Sequence, residues 1–142
     1  MKEQFIDSLT KLCSVANASR LCHWNISGKG NQFYSMHLLF AKIYELAEEH
    51  VDELAEQARG SDVEIPAKVF HEVPEIEWST NEDMVEELYK VVEDLCESLD
   101  SLHKKADSED EFGVLNVVEG LMTVTRKIKY LLSSTISEDK DS

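Results

Sequence analysis

The sequence predicts an all-α fold, a four-helix bundle whose second and third helices are joined by one long crossover that carries a short helix. Breakers of regular structure are rare, with five glycines and two prolines among 142 residues, and this composition favours long helices over a turn-rich β fold. Apolar residues recur at intervals of three, four or seven residues in four stretches, which is the helical period. The length fits one domain over residues 1–142.

The first two predicted helices cover about residues 2–25 and 32–59, and a glycine-rich turn separates them. The first helix carries a helical series made of Phe5, Leu9, Leu12, Ala16 and His23. The second carries two seven-residue repeats, one of Phe33, Phe40, Ala47 and Leu54 and one of His37, Tyr44, Val51 and Ala58. Together the repeats make a stripe wide enough for packing in a bundle, and Gly60 lies where a C-terminal cap glycine is expected.

The third and fourth predicted helices cover about residues 80–106 and 110–137, and a frayed tail follows over 138–142. Ser79 and Glu82 have the spacing of a capping box at the start of the third helix. The acidic run over 107–111 suits the positive end of the fourth helix dipole. A strict three-four spacing in the third helix joins Val85, Leu88, Val92, Leu95, Leu99 and Leu102.

Residues 61–78 form the predicted crossover, which is long enough to run the length of the second helix, roughly 42 Å. Pro66 suits the first turn of a short helix over residues 67–72 within this crossover. The other two connections are short and therefore join antiparallel neighbours. One long crossover in a four-helix bundle is typical of ferritin-like folds.

The chain is strongly acidic, with 29 Asp and Glu against 14 Lys and Arg and a net charge of −15. This charge argues against binding to nucleic-acid phosphates or to an anionic membrane surface. The three cysteines form no CxxC pair, which is typical of a reducing compartment. The sequence has no long apolar run and no signal-peptide pattern, so we expect a soluble, cytoplasmic protein.

Two histidines and two acidic residues lie on or beside the apolar faces of the first two helices. His23 lies on the seam of the first helix and His37 on the inner side of the second, and each alone is compatible with a hydrogen-bonded core histidine. Asp52 and Glu56 lie four residues apart on one face, and alone they are compatible with a solvated surface. Taken together, two imidazoles and two carboxylates suit a ferrous iron or zinc site.

Helix length sets a condition on such a site. His37 and Asp52 are separated by 15 residues, or about 22 Å of helix, too far for one ion to bind both within a chain. A shared site therefore needs two chains, with the second helix antiparallel to its copy about a two-fold axis near Glu45. The Glu-x-x-His pair of other di-iron bundles is missing, and His103, preceded by Asp100, is the nearest match.

These residues resemble the core motif of the Dps family, the mini-ferritins named for DNA-binding proteins from starved cells. The similarity is carried by His23-Trp24-Asn25, the glycine-rich turn, Phe33, His37, Asp52 and Ala55-Glu56. It implies that His23 and His37 are iron ligands from one subunit, with Asp52 and Glu56 supplied by its two-fold mate. It also implies a hollow dodecamer that oxidises Fe²⁺, preferably with hydrogen peroxide rather than oxygen, and stores the Fe³⁺ product as protection against oxidative stress. Trp24 resembles the tryptophan beside the family's site, although an ordinary core aromatic is the alternative.

The chain departs from the family pattern in three ways. Ala41 stands where the family usually has an acidic residue, one turn after the second histidine, so one iron position is expected to be weaker or to be bridged by water. The gap between the two histidines is longer than usual by two residues. The lysine-rich terminal extension of the DNA-binding members is also missing, since the C-terminus reads Ser-Glu-Asp-Lys-Asp-Ser.

Two further pairs of acidic residues are candidates for roles in iron storage. Glu45 and Glu49 continue the ligand face and are candidates for mineral nucleation, with a solvated helix face as the alternative. Asp110 and Glu111 are candidates for lining an iron pore, since the family's pore acids lie near the start of the fourth helix. Their alternative is a plain solvated turn. Zinc is a possible competitor for iron, and the alternative functions are a non-catalytic assembly protein and a DNA-compacting protein.

Overall fold

A computed structural model of the chain describes residues 1–28, 31–75 and 80–140, and of residues 31 and 136–140 it describes only the backbone. The helices in these ranges are α1 (Lys2–Asn25), α2 (Asn31–Glu48), α3 (Val51–Gly60), α4 (Asn81–Ser108) and α5 (Phe112–Lys140), with a 3₁₀ turn over Ala67–Phe70. The same ranges contain no strand, so the predicted all-α fold is confirmed. None of these described helices is long and apolar enough to cross a membrane.

The helices form a bundle in which α1 packs against both α2 and α4, and α4 packs against α5. Contacts show that α4 is antiparallel to α1, because Asn81 bonds to Ser27 at one end and Ser98 bonds to Asp7 at the other. Since α2 is also antiparallel to α1, the connection from α3 to α4 has to return along the bundle. Its described part is tied to α1 by Glu72, whose backbone oxygen accepts a 2.7 Å hydrogen bond from the Ser14 hydroxyl.

The predicted seam of α4 is the centre of the core. All six of its apolar residues, from Val85 to Leu102, are at most 1% exposed. They pack with buried residues of the other helices, among them Phe5, Leu12, Phe40, Leu54, Leu121 and Ile128. Removal of this apolar surface from water is the main stabilising contribution to the bundle, at roughly 25 cal/mol per Å² buried.

The predicted second helix is divided at Glu49 and His50, so the expectation of one continuous helix over 32–59 is wrong. The His50 amide bonds to the oxygen of Ala47 at 3.2 Å, one residue short of the α-helical partner. The oxygen of Leu46, which that amide would otherwise have used, instead accepts a 2.8 Å hydrogen bond from the His50 ring Nδ1. Insertion of a side chain into the helical hydrogen-bond ladder is a recognised cause of such breaks.

The ends of α3 and α4 differ from the sequence prediction in the same way. Gly60 is the last helical residue of α3 rather than its cap, and Asp62 takes the left-handed conformation instead, with φ 61°. At the end of α4, Asp110 does the same with φ 54°. Both ends have the paired hydrogen bonds of a Schellman motif, such as Glu111 N to Ala106 O at 2.9 Å. Asp110 therefore ends α4 and does not begin α5.

The remaining boundaries differ by a few residues. Thr80 caps α4 by accepting a 3.0 Å hydrogen bond from the Asp83 amide, whereas the predicted cap, Ser79, lies outside the described residues. The short crossover helix is a 3₁₀ turn that ends at Phe70, and Pro66 occupies the position before its first residue. Helix α5 continues to Lys140, three residues beyond the predicted end.

Candidate metal centre

His23 and His37 lie together where the end of α1 meets the beginning of α2. Their rings are stacked, with centroids 3.8 Å apart and an interplanar angle of 24°. Both rings are half-buried, so neither is enclosed in the core as the core-histidine interpretation requires. The antiparallel packing of α1 and α2 brings them together although they are 14 residues apart in sequence.

Each histidine is oriented by the backbone of the other. The Nδ1 of His23 bonds to the His37 carbonyl oxygen at 2.9 Å, and the Nδ1 of His37 bonds to the His23 carbonyl oxygen at 3.1 Å. Because a carbonyl oxygen only accepts, each Nδ1 carries the proton. In the neutral rings Nε2 therefore keeps its lone pair, which is the form of histidine that binds a metal ion.

Aromatic side chains extend this stack on both sides. The ring of Phe33 stacks on His37 at 5.4 Å, and the ring of Tyr44 meets His23 edge-on at 5.6 Å. Arg20 lies 5.1 Å above the Tyr44 ring and also forms an ion pair with Glu48. These contacts restrict the rotation of both imidazoles, which holds the two Nε2 atoms in a fixed arrangement.

The two predicted carboxylate ligands lie further along the chain, on α3. Asp52 and Glu56 are both exposed, and Asp52 lines a cavity of about 360 Å³ between α1, α3 and the crossover. That cavity is also lined by Cys13, Ala16, Asn17, Glu48, Val51 and Phe70. Across the described part of the chain, no three His, Cys, Asp or Glu side chains lie close enough together to hold a metal ion. One chain therefore brings the histidines together but not all four predicted ligands.

The other residues singled out by the sequence are at the surface of the chain. Trp24 is 67% exposed, so the interpretation of it as a core aromatic is wrong for the single chain. Glu45 and Glu49 are exposed, Glu49 within the break between α2 and α3. Asp110 and Glu111 are exposed in the turn between α4 and α5.

Comparison with known proteins agrees with this architecture. A model of the ferritin-like domain family matches residues 3–141. The chain belongs to the ferritin-like family. A curated relative, DNA protection during starvation protein 2 of Bacillus anthracis, is 28% identical over 97% of this chain and its own full length. The resemblance to Dps proteins is thereby confirmed.

Solved structures of ferritin-like proteins have the same fold. Dps from Thermosynechococcus elongatus superposes with a TM-score of 0.86 at 19% identity, over 96% of this chain and 89% of that one. Dps from Staphylococcus aureus superposes with a TM-score of 0.83 at 20% identity, over 96% of this chain and 94% of that one. A ferritin-like, diiron-carboxylate protein from Bacillus anthracis superposes with a TM-score of 0.84 at 11% identity, over 96% of this chain and 94% of that one. Family membership supports a role in iron storage.

Sequence reasoning did not single out two exposed apolar residues that lie close to His37 in the sequence. Tyr34 and Leu38 are 64% and 49% exposed on α2 and flank His37 in sequence. Their spacing of four residues, on a face that the buried Phe40 and Ile43 do not share, was the available signal. With Trp24, they are exposed apolar side chains that lie close in sequence to the candidate ligands His23 and His37.

Proposed function

We propose that this chain oxidises Fe²⁺ at sites shared by two copies of itself and stores the Fe³⁺ product as a mineral inside a dodecameric cage. The observation that carries the proposal is the reciprocally bonded pair of His23 and His37, whose Nδ1 atoms are bonded to backbone oxygens, so that Nε2 is the nitrogen of each ring left to bind a metal ion. Asp52 and Glu56 of a second copy would complete the donor set, since within the described part of one chain no three such side chains lie close enough together to hold a metal ion.

The donor set suits ferrous iron as the substrate. Imidazole nitrogen binds Fe²⁺ well, and carboxylate oxygen is a hard ligand that favours Fe³⁺ over Fe²⁺. Asp52 and Glu56 would therefore lower the reduction potential of the bound ion and make it a better electron donor. Ala41 supplies no carboxylate, so one of the two iron positions is expected to bind more weakly.

Hydrogen peroxide is the proposed oxidant, with oxygen as the second candidate. Two ferrous ions give one electron each, the O–O bond breaks, and two protons from solvent complete two water molecules. Backbone oxygens hold the Nδ1–H of both histidines, so Nε2 would be the ring nitrogen that binds the iron. Paired electron transfer avoids one-electron cleavage of peroxide and would protect a cytoplasm from oxidative stress.

Storage and uptake are proposed for two acidic groups. Glu45 and Glu49 would nucleate ferric mineral, and Asp110 and Glu111 would line a pore at a three-fold axis of the cage. Exposed carboxylates around such an axis focus a negative potential and raise the local concentration of cations. Binding of DNA is disfavoured by the net charge of −15.

Anaerobic titration with Fe²⁺, followed by stopped-flow addition of peroxide or oxygen, tests the proposal. We expect saturable binding and two ferrous ions oxidised per peroxide, with loss of both in His37→Ala. His71→Ala is the matched control, because His71 is exposed on the crossover. A wild-type protein that assembles but binds no Fe²⁺ would establish the alternative, a non-catalytic assembly protein, which Ala41 favours.

A further inference from the structure

A cavity of about 290 Å³ lies between α4 and α5. Cys96 of α4 lines one side of it, and four residues of α5 complete the lining: Met122, Thr125, Arg126 and Lys129. The candidate metal centre is built from α1, α2 and α3, and none of its residues lines this cavity. A role for the cavity would therefore be independent of the proposed iron site.

The charged residues in the described lining of this cavity are both cations, Arg126 and Lys129. Three other cavities of the described chain are each lined by at least two carboxylates. Asp94 and Glu97, for example, line the cavity between α1 and α4. Because the chain has a net charge of −15, a cavity with two cations and no carboxylate in its described lining is an exception. Such a cavity favours an anionic ligand.

Neither of these two cations is neutralised by a described neighbour. Lys104 on α4 pairs with Asp100 at 3.0 Å, whereas Arg126 and Lys129 form no ion pair with a described residue. The Nζ of Lys129 lies 5.5 Å from the centroid of the Tyr89 ring. Because an aromatic ring carries no net charge, this contact positions the ammonium group without neutralising it. Both positive charges are therefore available to an anion in the cavity.

Three carboxylates of α4 lie close to Cys96 in the sequence but outside the lining of the cavity. Glu93 and Asp100 lie one helical turn before and after Cys96, and both are exposed. Glu97 is also exposed and lines the cavity between α1 and α4 instead. An anion in the α4–α5 cavity would therefore meet the two cations directly, whereas the three carboxylates would act on it through solvent, which screens their charge.

Cys96 adds a nucleophile to this cationic cavity. Its side chain is half-buried, whereas Cys13 and Cys22 are buried. A cysteine thiolate exchanges with a disulfide by direct attack on one of its sulfur atoms, so the rate depends on access to the thiol and on the charges around it. Two cations beside the thiol raise the local concentration of an anionic reagent and lower that of a cationic one.

We propose that Cys96 is a site of reversible modification by small anionic disulfides, which Arg126 and Lys129 recognise through their negative charge. The Cys96 thiol gives its proton to solvent, and its sulfur attacks one sulfur of the disulfide. A bond forms between Cys96 and that half of the reagent, the original S–S bond breaks, and the other half leaves as a thiolate that takes up a proton. Cys96 is thereby oxidised to a mixed disulfide, the released half is reduced to a thiol, and an excess of thiol reverses the exchange.

Rates of modification by three disulfides of different charge test the proposal. The probes are dithiobis(nitrobenzoate), which carries two carboxylates, bis(hydroxyethyl) disulfide, which is neutral, and cystamine, which carries two ammonium groups. Mass spectrometry follows the adduct on Cys96 of the native protein, and each rate is divided by the rate of a small neutral thiol with the same probe. At low salt we expect the anionic probe to react about tenfold or more faster than the cationic one on this scale. The net charge of the whole chain predicts the reverse order.

Two double variants separate recognition in the cavity from the general charge of the chain. Arg126→Gln with Lys129→Gln should abolish the preference for the anionic probe and leave the rate with the neutral probe unchanged. Lys90→Gln with Lys127→Gln is the matched control, because it removes the same charge from exposed positions of α4 and α5 that do not line the cavity. The control should keep the preference. In the wild type, added salt should bring the three normalised rates together.

Four results would overturn the proposal. The first is a cationic probe that reacts with Cys96 as fast as the anionic one at low salt, and the second is the absence of any adduct on Cys96. The third is a preference for the anionic probe that survives Arg126→Gln with Lys129→Gln. The fourth is a preference that is lost in Lys90→Gln with Lys127→Gln, since that loss would assign the selectivity to the charge of the chain and not to the cavity.

Discussion

The imidazole rings of His23 and His37 are stacked 3.8 Å apart, and each ring bonds through Nδ1 to the backbone oxygen of the other residue. These hydrogen bonds and the ring stack join the end of α1 to the beginning of α2. It also fixes both tautomers without any acidic side chain. The Nε2 atoms are thereby left as the two nitrogen donors of the candidate metal centre.

The three cysteines are expected to differ strongly in their rates of alkylation. Burial raises the pKa of the Cys22 thiol to about 12 and also raises that of Cys13, so little thiolate is available at pH 8. We expect an alkylating reagent to modify the half-buried Cys96 first and the other two only after unfolding. Mass spectrometry of partly labelled native protein measures this, and early labelling of Cys22 would contradict the packing of α1.

The Cys22 thiol is expected to make the free energy of unfolding depend on pH in the alkaline range. The pKa of Cys22 is raised in the folded chain. Its contribution to the free energy of unfolding is therefore fully present below pH 9 and is lost as the pH rises towards 12. Urea unfolding at pH 8 and pH 10 should show a smaller decline in Cys22→Ala than in wild type. An equal decline in both would assign the pH dependence to other groups.

Asp110 is expected to cost stability by its backbone conformation. Its φ of 54° is unfavourable for a side chain with a Cβ, whereas its charge lies between the negative end of the α4 dipole and the positive end of the α5 dipole, whose effects on the charge oppose each other. Asp110→Gly should raise the free energy of unfolding by about 0.5 kcal/mol, as measured by urea denaturation. Glu109→Gly removes the same charge at φ −106° and should give no gain, and a loss of stability in Asp110→Gly would contradict the assignment.

Uptake of iron is expected to depend on the turn between α4 and α5. Asp110→Asn combined with Glu111→Gln keeps a residue that tolerates the left-handed conformation and removes both charges. We expect slower mineral formation at low salt, with assembly and Fe²⁺ affinity unchanged. Glu64→Gln with Glu93→Gln, two exposed positions elsewhere, should have no effect. A wild-type rate that ignores ionic strength would place the route of uptake elsewhere.

Growth of the mineral is expected to depend on Glu45 and Glu49. Glu45→Gln with Glu49→Gln should slow the late phase of Fe³⁺ accumulation more than the initial oxidation, since neither residue is a proposed ligand. The absorbance of the ferric product, followed from milliseconds to minutes, separates the two phases. Equal slowing of both would show that these carboxylates act at the oxidation site and not in nucleation.

Long-range periodicity made the bundle predictable. The three-four spacing of α4 identified six residues that are all in the core, because helix packing on both sides requires that pattern. The break at Glu49 and His50 was not predictable from the repeat. Ala47 and Leu54 are both buried on either side of it, so the repeat continues across the interruption. The break depends on one ring nitrogen and one backbone oxygen, which periodicity does not report.

Part of the candidate site was also predictable. The pairing of His23 with His37 follows from antiparallel packing of two helices joined by a short turn. The exposure of Trp24, Tyr34 and Leu38 could not be predicted from the sequence. An apolar residue that packs against a second chain follows the same sequence pattern as one that packs in the core of its own chain. The cap residues Asp62 and Asp110 were missed because glycine is the usual residue at such positions.

Complementation between two inactive variants tests the central proposal, an iron site shared by two chains, most directly. His37→Ala and Asp52→Ala should each assemble and each lack peroxide-dependent oxidation of Fe²⁺. When the two are coexpressed, a mixed pair has one site with both substitutions and one intact site. Random pairing should therefore restore about a quarter of the wild-type activity. Absence of any recovery in assembled, mixed cages would contradict the shared site.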